Sequence, residues 1–138
     1  MPTDITNSLR VEVARRADRR CEYCLIREED TGFPHQVDHI ISRKHGGSSA
    51  TENLALACIV CNRHKGSDVA SIDVDTGEVV RLFHPRRDRW ADHFRISRDQ
   101  IEPLTGVGRV TVELLRLNTA DRLSERRLLQ ALGFYPPH

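Results

Sequence analysis

Leu9, Val13 and Arg16/Ala17 recur at helical spacing behind Thr6, Asn7 or Ser8 as a cap, which predicts a helix over residues 8–19. Glu28, Glu29, Asp30, Gly32 and Pro34 then break the pattern, so residues 25–34 read as a loop. Gln36 to Ile41 is β-like, the run Gly46, Gly47, Ser48 and Ser49 is a turn, and Leu54 to Ala57 is a short apolar strand. A helix follows from about Cys58 and carries Asn62 and Lys65. Ile72 to Phe83 has the pattern of a hairpin turning at Asp75, Thr76 and Gly77, while residues 84–95 are partly irregular. Two helices close the chain, over about 107–117 and 120–132, with Asn118 or Thr119 capping the second and Gly133 at its end. Leu123, Leu128, Leu129 and Leu132 give that last helix an apolar stripe, suited to this half of the chain or to a second subunit.

No apolar run is long enough to span a membrane, and the opening stretch lacks the apolar centre of a signal peptide. A cytoplasmic protein is expected. The net charge of +1 says little, because a nucleic-acid binder needs local rather than total positive charge. Local clusters exist at Arg15, Arg16, Arg19 and Arg20, at Arg43, Lys44, Arg63 and Lys65, and at Arg81, Arg86, Arg87 and Arg89. Each is equally readable as ordinary surface.

The four cysteines form two pairs, Cys21/Cys24 and Cys58/Cys61, each Cys-x-x-Cys. Under reducing conditions two such knuckles suit a structural zinc ion bound by four thiolates; redox-active pairs or two local disulfides are the alternatives. Asp38 and His39 are adjacent at a predicted strand end, and thus on opposite faces. One could hold a metal while the other points at a water, the two requirements of phosphodiester hydrolysis. Asn53 and Asn62 add amide oxygens that can ligate a hard cation or fix an imidazole tautomer.

Val37-Asp38-His39-Ile40, then Gly46-Gly47, Glu52-Asn53-Leu54 and Cys58-x-x-Cys61-Asn62-x-x-Lys65 together resemble the HNH endonuclease family, in its branch with two Cys-x-x-Cys pairs. The resemblance covers about residues 15–66. It implies an α+β fold with a ββα-metal core and a four-cysteine zinc staple, extended by a β-hairpin and C-terminal helices. It makes His39 the general base, Asn53 the residue orienting that base, and Asp38 and Asn62 the ligands of a catalytic divalent ion. With Asn at position 62, Mg2+ or Mn2+ is expected there rather than zinc. Lys65, Arg63, His64, Arg43 and Lys44 are the candidate nucleic-acid contacts, with Lys65 equally readable as a solvated helix lysine. His35 and His45 are read as surface or supporting residues, and His84 and His93 are assigned no role.

The expected reaction is hydrolysis of DNA, double-stranded in the first instance. A non-catalytic zinc module that binds nucleic acid, or an RNA-cleaving enzyme, is the alternative. Residues 1–70 are read as the nuclease core and 71–138 as an extension packed with it as one unit. In that extension Trp90 is expected in the core. The run Leu104 to Arg109 resembles a helix-hairpin-helix signature, but Pro103 and the β-like residues 95–97 leave little room for its first helix, so a Thr-capped helix is expected.

Overall fold

Thr6 starts the first helix, α1 (Asn7–Arg16), by accepting a hydrogen bond from the Leu9 amide at 3.2 Å. In the computed structural model, residues 5–137 are described, so the first four residues of the stretch read for a leader lie outside the described residues. Val13 of α1 is fully buried against Leu54 and Leu56, with Leu9, Ala14 and Ala17 packed around it. Arg16 completes that contact, donating to the carbonyls of Thr51 and Leu54. The helix stops at Arg16 rather than residue 19 because Asp18 and Arg19 take left-handed backbone angles that turn the chain into the first cysteine knuckle.

Strands β1 (Gln36–His39) and β2 (Leu54–Ala57) pair antiparallel, with Asp38 opposite Ala55 and His39 opposite Leu54. All of β2 is buried, as its unbroken apolar run requires. Helix α2 (Ile59–Lys65) follows at once, capped by the Cys58 sulfur, which accepts from the Cys61 amide at 3.4 Å. These three elements are the expected ββα unit. No helix among the described residues is long and apolar enough to cross a membrane.

The rest of the chain adds two hairpins and three helices among the described residues: β3 (Ala70–Ile72) with β4 (Val79–Arg81), α3 (Trp90–His93), β5 (Phe94–Ser97) with β6 (Gln100–Pro103), α4 (Gly106–Leu114) and α5 (Ala120–Ala131). The fold class is α+β. The second hairpin is more order than the sequence promised, since its turn passes through Arg98 at φ 58°, with no glycine to announce it. Trp90 is half-buried, 5.0 Å from the Phe94 ring, and its Nε1 donates to the Tyr23 carbonyl at 2.8 Å. Phe83, Phe94, Ile101, Val110, Leu115 and Leu117 share one buried cluster with the four cysteines.

The glycines of the Leu104–Arg109 run serve packing. A Cβ on Gly108 would lie 2.3 Å from the His93 carbonyl oxygen, and Thr105 caps α4 by accepting from the Gly108 amide. What precedes α4 is a strand, so the helix-hairpin-helix resemblance ends there. Helix α5 packs only part of its leucine stripe on this half of the chain. Leu129 is buried, but Leu128 and Leu132 are exposed, and the buried face carries Arg122 and Arg126 instead.

Candidate active site and metal centre

The two cysteine knuckles meet behind the ββα unit. Cys21, Cys24, Cys58 and Cys61 are buried, unbridged by disulfides, and their sulfurs lie within 4.8 Å of one another, a potential metal site. Arg122, reaching in from α5, donates to the Cys61 sulfur at 3.1 Å and to the carbonyl of Leu115. Burial alone would pull its guanidinium down, but the surrounding sulfurs push it up and hold the charge.

A cleft of about 280 Å³ is bordered by Asp38, His39, Arg43 and Asn62. Residues from a strand end, a loop and a helix thus converge on one polar depression. Asp38 is buried and carries two hydrogen bonds: Tyr23 Oη donates at 2.7 Å and Lys65 Nζ at 3.2 Å. Burial pushes the Asp38 carboxyl above its ordinary value, and the Lys65 ammonium and Tyr23 hydroxyl pull it back. Lys65 Nζ also donates to the His39 carbonyl, so one ammonium fixes both members of the Asp-His pair.

Lys65 is 1% exposed. The expectation of a nucleic-acid contact at Lys65 is therefore corrected: its charge is consumed inside the protein, because the buried Asp38 carboxylate needs a partner.

His39 is partly buried, with Nε2 3.0 Å from Ser49 Oγ. Burial, reinforced by the charge of Arg43, pushes its imidazole below the ordinary histidine value, so it is neutral at neutral pH. Asn53 does not touch that ring. Its side chain accepts from the Ile41 amide and donates to the carbonyls of Ile41 and Ser48. The expectation that Asn53 directly holds the base is thus corrected: it pins the loop that carries Ser49, and Ser49 meets the imidazole. Gly47 is part of the same closure, since a Cβ there would fall 1.7 Å from the Ile41 carbonyl oxygen.

Asn62 lines the cleft, and its Nδ2 donates to Gln36 Oε1 at 2.6 Å. Arg63, Arg43 and Lys44 are exposed, while His64 is half-buried beside them. Burial lowers His64, and so does the charge of Arg116 from the turn before α5, an unforeseen basic group near His64. Half of the third arginine cluster is consumed in ion pairs: Arg81 binds Asp88 at 2.6 Å and Arg86 binds Glu22. His35 is buried, with Nε2 2.9 Å from the Ile26 carbonyl oxygen, and His45 is exposed.

Sequence reasoning missed Tyr23, Gln36, Ser49 and Arg122. For Gln36 a signal existed: it shares a strand face with Asp38, as Asn62 shares a helix face with Lys65. The two pairs are successive rungs between β1 and α2.

A ββα unit that carries a potential four-cysteine metal site and a polar cleft fits a ββα-metal core. Residues 21–68, less than half of the chain, match the HNH endonuclease family model, and the matched segment contains both Cys-x-x-Cys pairs. That match points to a nuclease-type function in general terms. Nothing among curated proteins or solved structures matches the chain.

Proposed function

We propose that the protein is a metal-dependent endonuclease hydrolysing phosphodiester bonds of DNA, double-stranded by preference, to 3′-hydroxyl and 5′-phosphate ends. The meeting of Asp38, His39 and Asn62 at one cleft beside exposed arginines carries this reading. His39, neutral at working pH, takes the proton of the attacking water. Asp38 and Asn62 offer oxygen donors, which suit Mg2+ or Mn2+. The carboxylate has room for such a cation: of about four lone-pair positions, Tyr23 and Lys65 take two. Bound there, the cation would neutralise charge developing on the phosphate. Arg43, Lys44, Arg63 and His64 hold the flanking phosphates, and Asn53 supports the loop behind the base.

The thiolate cluster fits zinc. Zinc–sulfur bonds of about 2.3 Å give a tetrahedron with edges of about 3.8 Å, close to the 3.7 Å between the sulfurs of Cys24 and Cys58. Reduced cysteines in that role suit a cytoplasmic setting. Residues 1–70 and 71–138 behave as one folding unit, supported by Arg122 on Cys61 and by Tyr135, which donates to the Cys24 carbonyl at 2.7 Å.

The test is cleavage of supercoiled plasmid by wild type and His39→Ala with Mg2+, Mn2+ or EDTA, and of an RNA substrate in parallel. Metal-dependent relaxation or linearisation by wild type, lost in His39→Ala with zinc content and fold retained, is expected. Equal cutting by the variant removes His39 as base. Inert wild type with intact zinc and fold points to a binding module, and cleavage confined to RNA changes the substrate.

A further inference from the structure

An asparagine that serves as a metal ligand has a problem an aspartate does not: half of its amide is a donor. Turned the wrong way, it presents Nδ2 to the cation and contributes repulsion. Rotation about the last side-chain bond is broad and roughly two-fold, so nothing within the residue itself selects the useful orientation. A neighbour has to do so.

We infer that Gln36 is the positioning residue that turns the Asn62 oxygen into the cleft, a reading that rests on the assignment of Asn62 as a cation ligand. Gln36 Oε1 accepts from Asn62 Nδ2 at 2.6 Å. Asn62 borders the cleft whereas Gln36 does not, so the bond holds the donor end away from the cleft and leaves Oδ1 directed into it. The strand supplies the geometry. Gln36 and Asp38 stand two residues apart on β1 and project to one face; Asn62 and Lys65 stand three apart on α2 and project back. The Asp38–Lys65 rung orients the carboxylate and the Gln36–Asn62 rung orients the amide, so both oxygen donors are aimed by the same two elements. The rungs differ in one practical respect. Lys65 is buried and Gln36 is exposed, so position 36 can be varied without opening the core.

Groups one layer behind a metal ligand commonly change metal affinity or activity by about 10–100-fold when removed. The experiment measures Mn2+ binding by calorimetry on the zinc-loaded full chain, with zinc content and thermal melting as controls for fold. Gln36→Met keeps the length and removes the acceptor; it is expected to weaken Mn2+ binding about tenfold with melting and zinc unchanged. Gln36→Glu, which can only accept, is expected to bind at least as tightly as wild type. In an Asn62→Asp background, where the ligand has no wrong way round, Gln36→Met is expected to change nothing, which makes the two positions non-additive. Wild-type affinity in Gln36→Met, equal weakening in Gln36→Glu, or a Met penalty that persists in the Asn62→Asp background each overturns the inference while leaving the metal site standing. Absence of Mn2+ binding to wild type overturns the ligand assignment and this inference together.

Discussion

Both halves of the molecule bury charge, and they do it differently. In the ββα unit a carboxylate and an ammonium, Asp38 and Lys65, are buried face to face beside a cleft. In the C-terminal half the buried Asp73 is paired with Arg109, but two guanidinium groups of α5, Arg122 and Arg126, are buried with no carboxylate among the described residues in ion-pair contact. Carbonyl oxygens of Leu115, Leu117 and Asp99 satisfy them, together with the Asn118 amide and, for Arg122, sulfur. An arginine fork can serve several carbonyls at once, which makes it a fastener of chain turns. A buried carboxylate beside solvent-accessible space is poor design for stability alone, because the pair gains little over apolar residues of similar volume. A buried charge that borders a cleft is thus a candidate for function, whereas the α5 guanidinium groups and the buried Asp73–Arg109 pair fasten chain segments, and the setting rather than the residue type tells them apart.

The sharpest way to break that contrast is to remove the ammonium. Lys65→Met strands the Asp38 carboxylate, and a loss of about 3–5 kcal/mol in urea unfolding is expected. Adding Asp38→Asn should return most of it, since the orphaned charge goes with it. If Lys65→Met alone costs nothing, Asp38 is not ionised in the folded state and the ion pair is not what fixes it.

Next in size is the fastener. Arg122→Met deletes charged hydrogen bonds to Leu115 and Cys61 and should cost about 1.5–3 kcal/mol. It should also speed zinc loss to a chelator while leaving plasmid cleavage per folded molecule unchanged. A variant that cuts poorly although folded and zinc-loaded would show that the C-terminal half takes part in the chemistry and would erase the distinction.

The smallest effect is at the join of the first hairpin to α4, where Arg109 binds Asp73 at 2.9 Å and, with the Asp75 amide, holds its carboxyl below the ordinary value. A depressed folded-state value means stability present above the unfolded value and lost as pH falls through the folded one. Asp73→Asn should therefore flatten the acid limb of a melting-temperature profile below about pH 4 and lower stability at neutral pH. Superimposable acid limbs would remove Asp73 from that account.

The division between what the sequence disclosed and what it hid follows the same line. Cysteine pairs, the Asp-His dipeptide and the glycine pair carry chemistry that few other roles require, and the ββα order could be read around them. Strand β2 was legible to the residue because an all-buried strand is an unbroken apolar run. Helix α5 misled because its four leucines suggested the buried face, whereas long arginines with apolar stems and carbonyl partners fill it. Asn53 misled in a subtler way. Its position in the motif was clear, but its hydrogen bonds go to backbone groups of Ile41 and Ser48, and no spacing rule reveals a backbone partner.

The reach of Tyr135 back to Cys24 has a kinetic side. The sulfurs of Cys24 and Cys58 are 34 residues apart in the chain, Arg122 and Cys61 are 61 apart, and Tyr135 and Cys24 are 111 apart. Loop-closure entropy makes the longest of these only about 1 kcal/mol dearer than the shortest, but synthesis is sequential and adds a delay that entropy does not. By the time residue 61 is free of the ribosome all four thiols are available, while the helix that will cover them does not yet exist. The potential metal site is thus complete in sequence before the helix that covers it has been made. In the folded protein α5 and Tyr135 are docked against the same knuckles, so an ion held there, zinc in the proposed reading, would be retained by that docking.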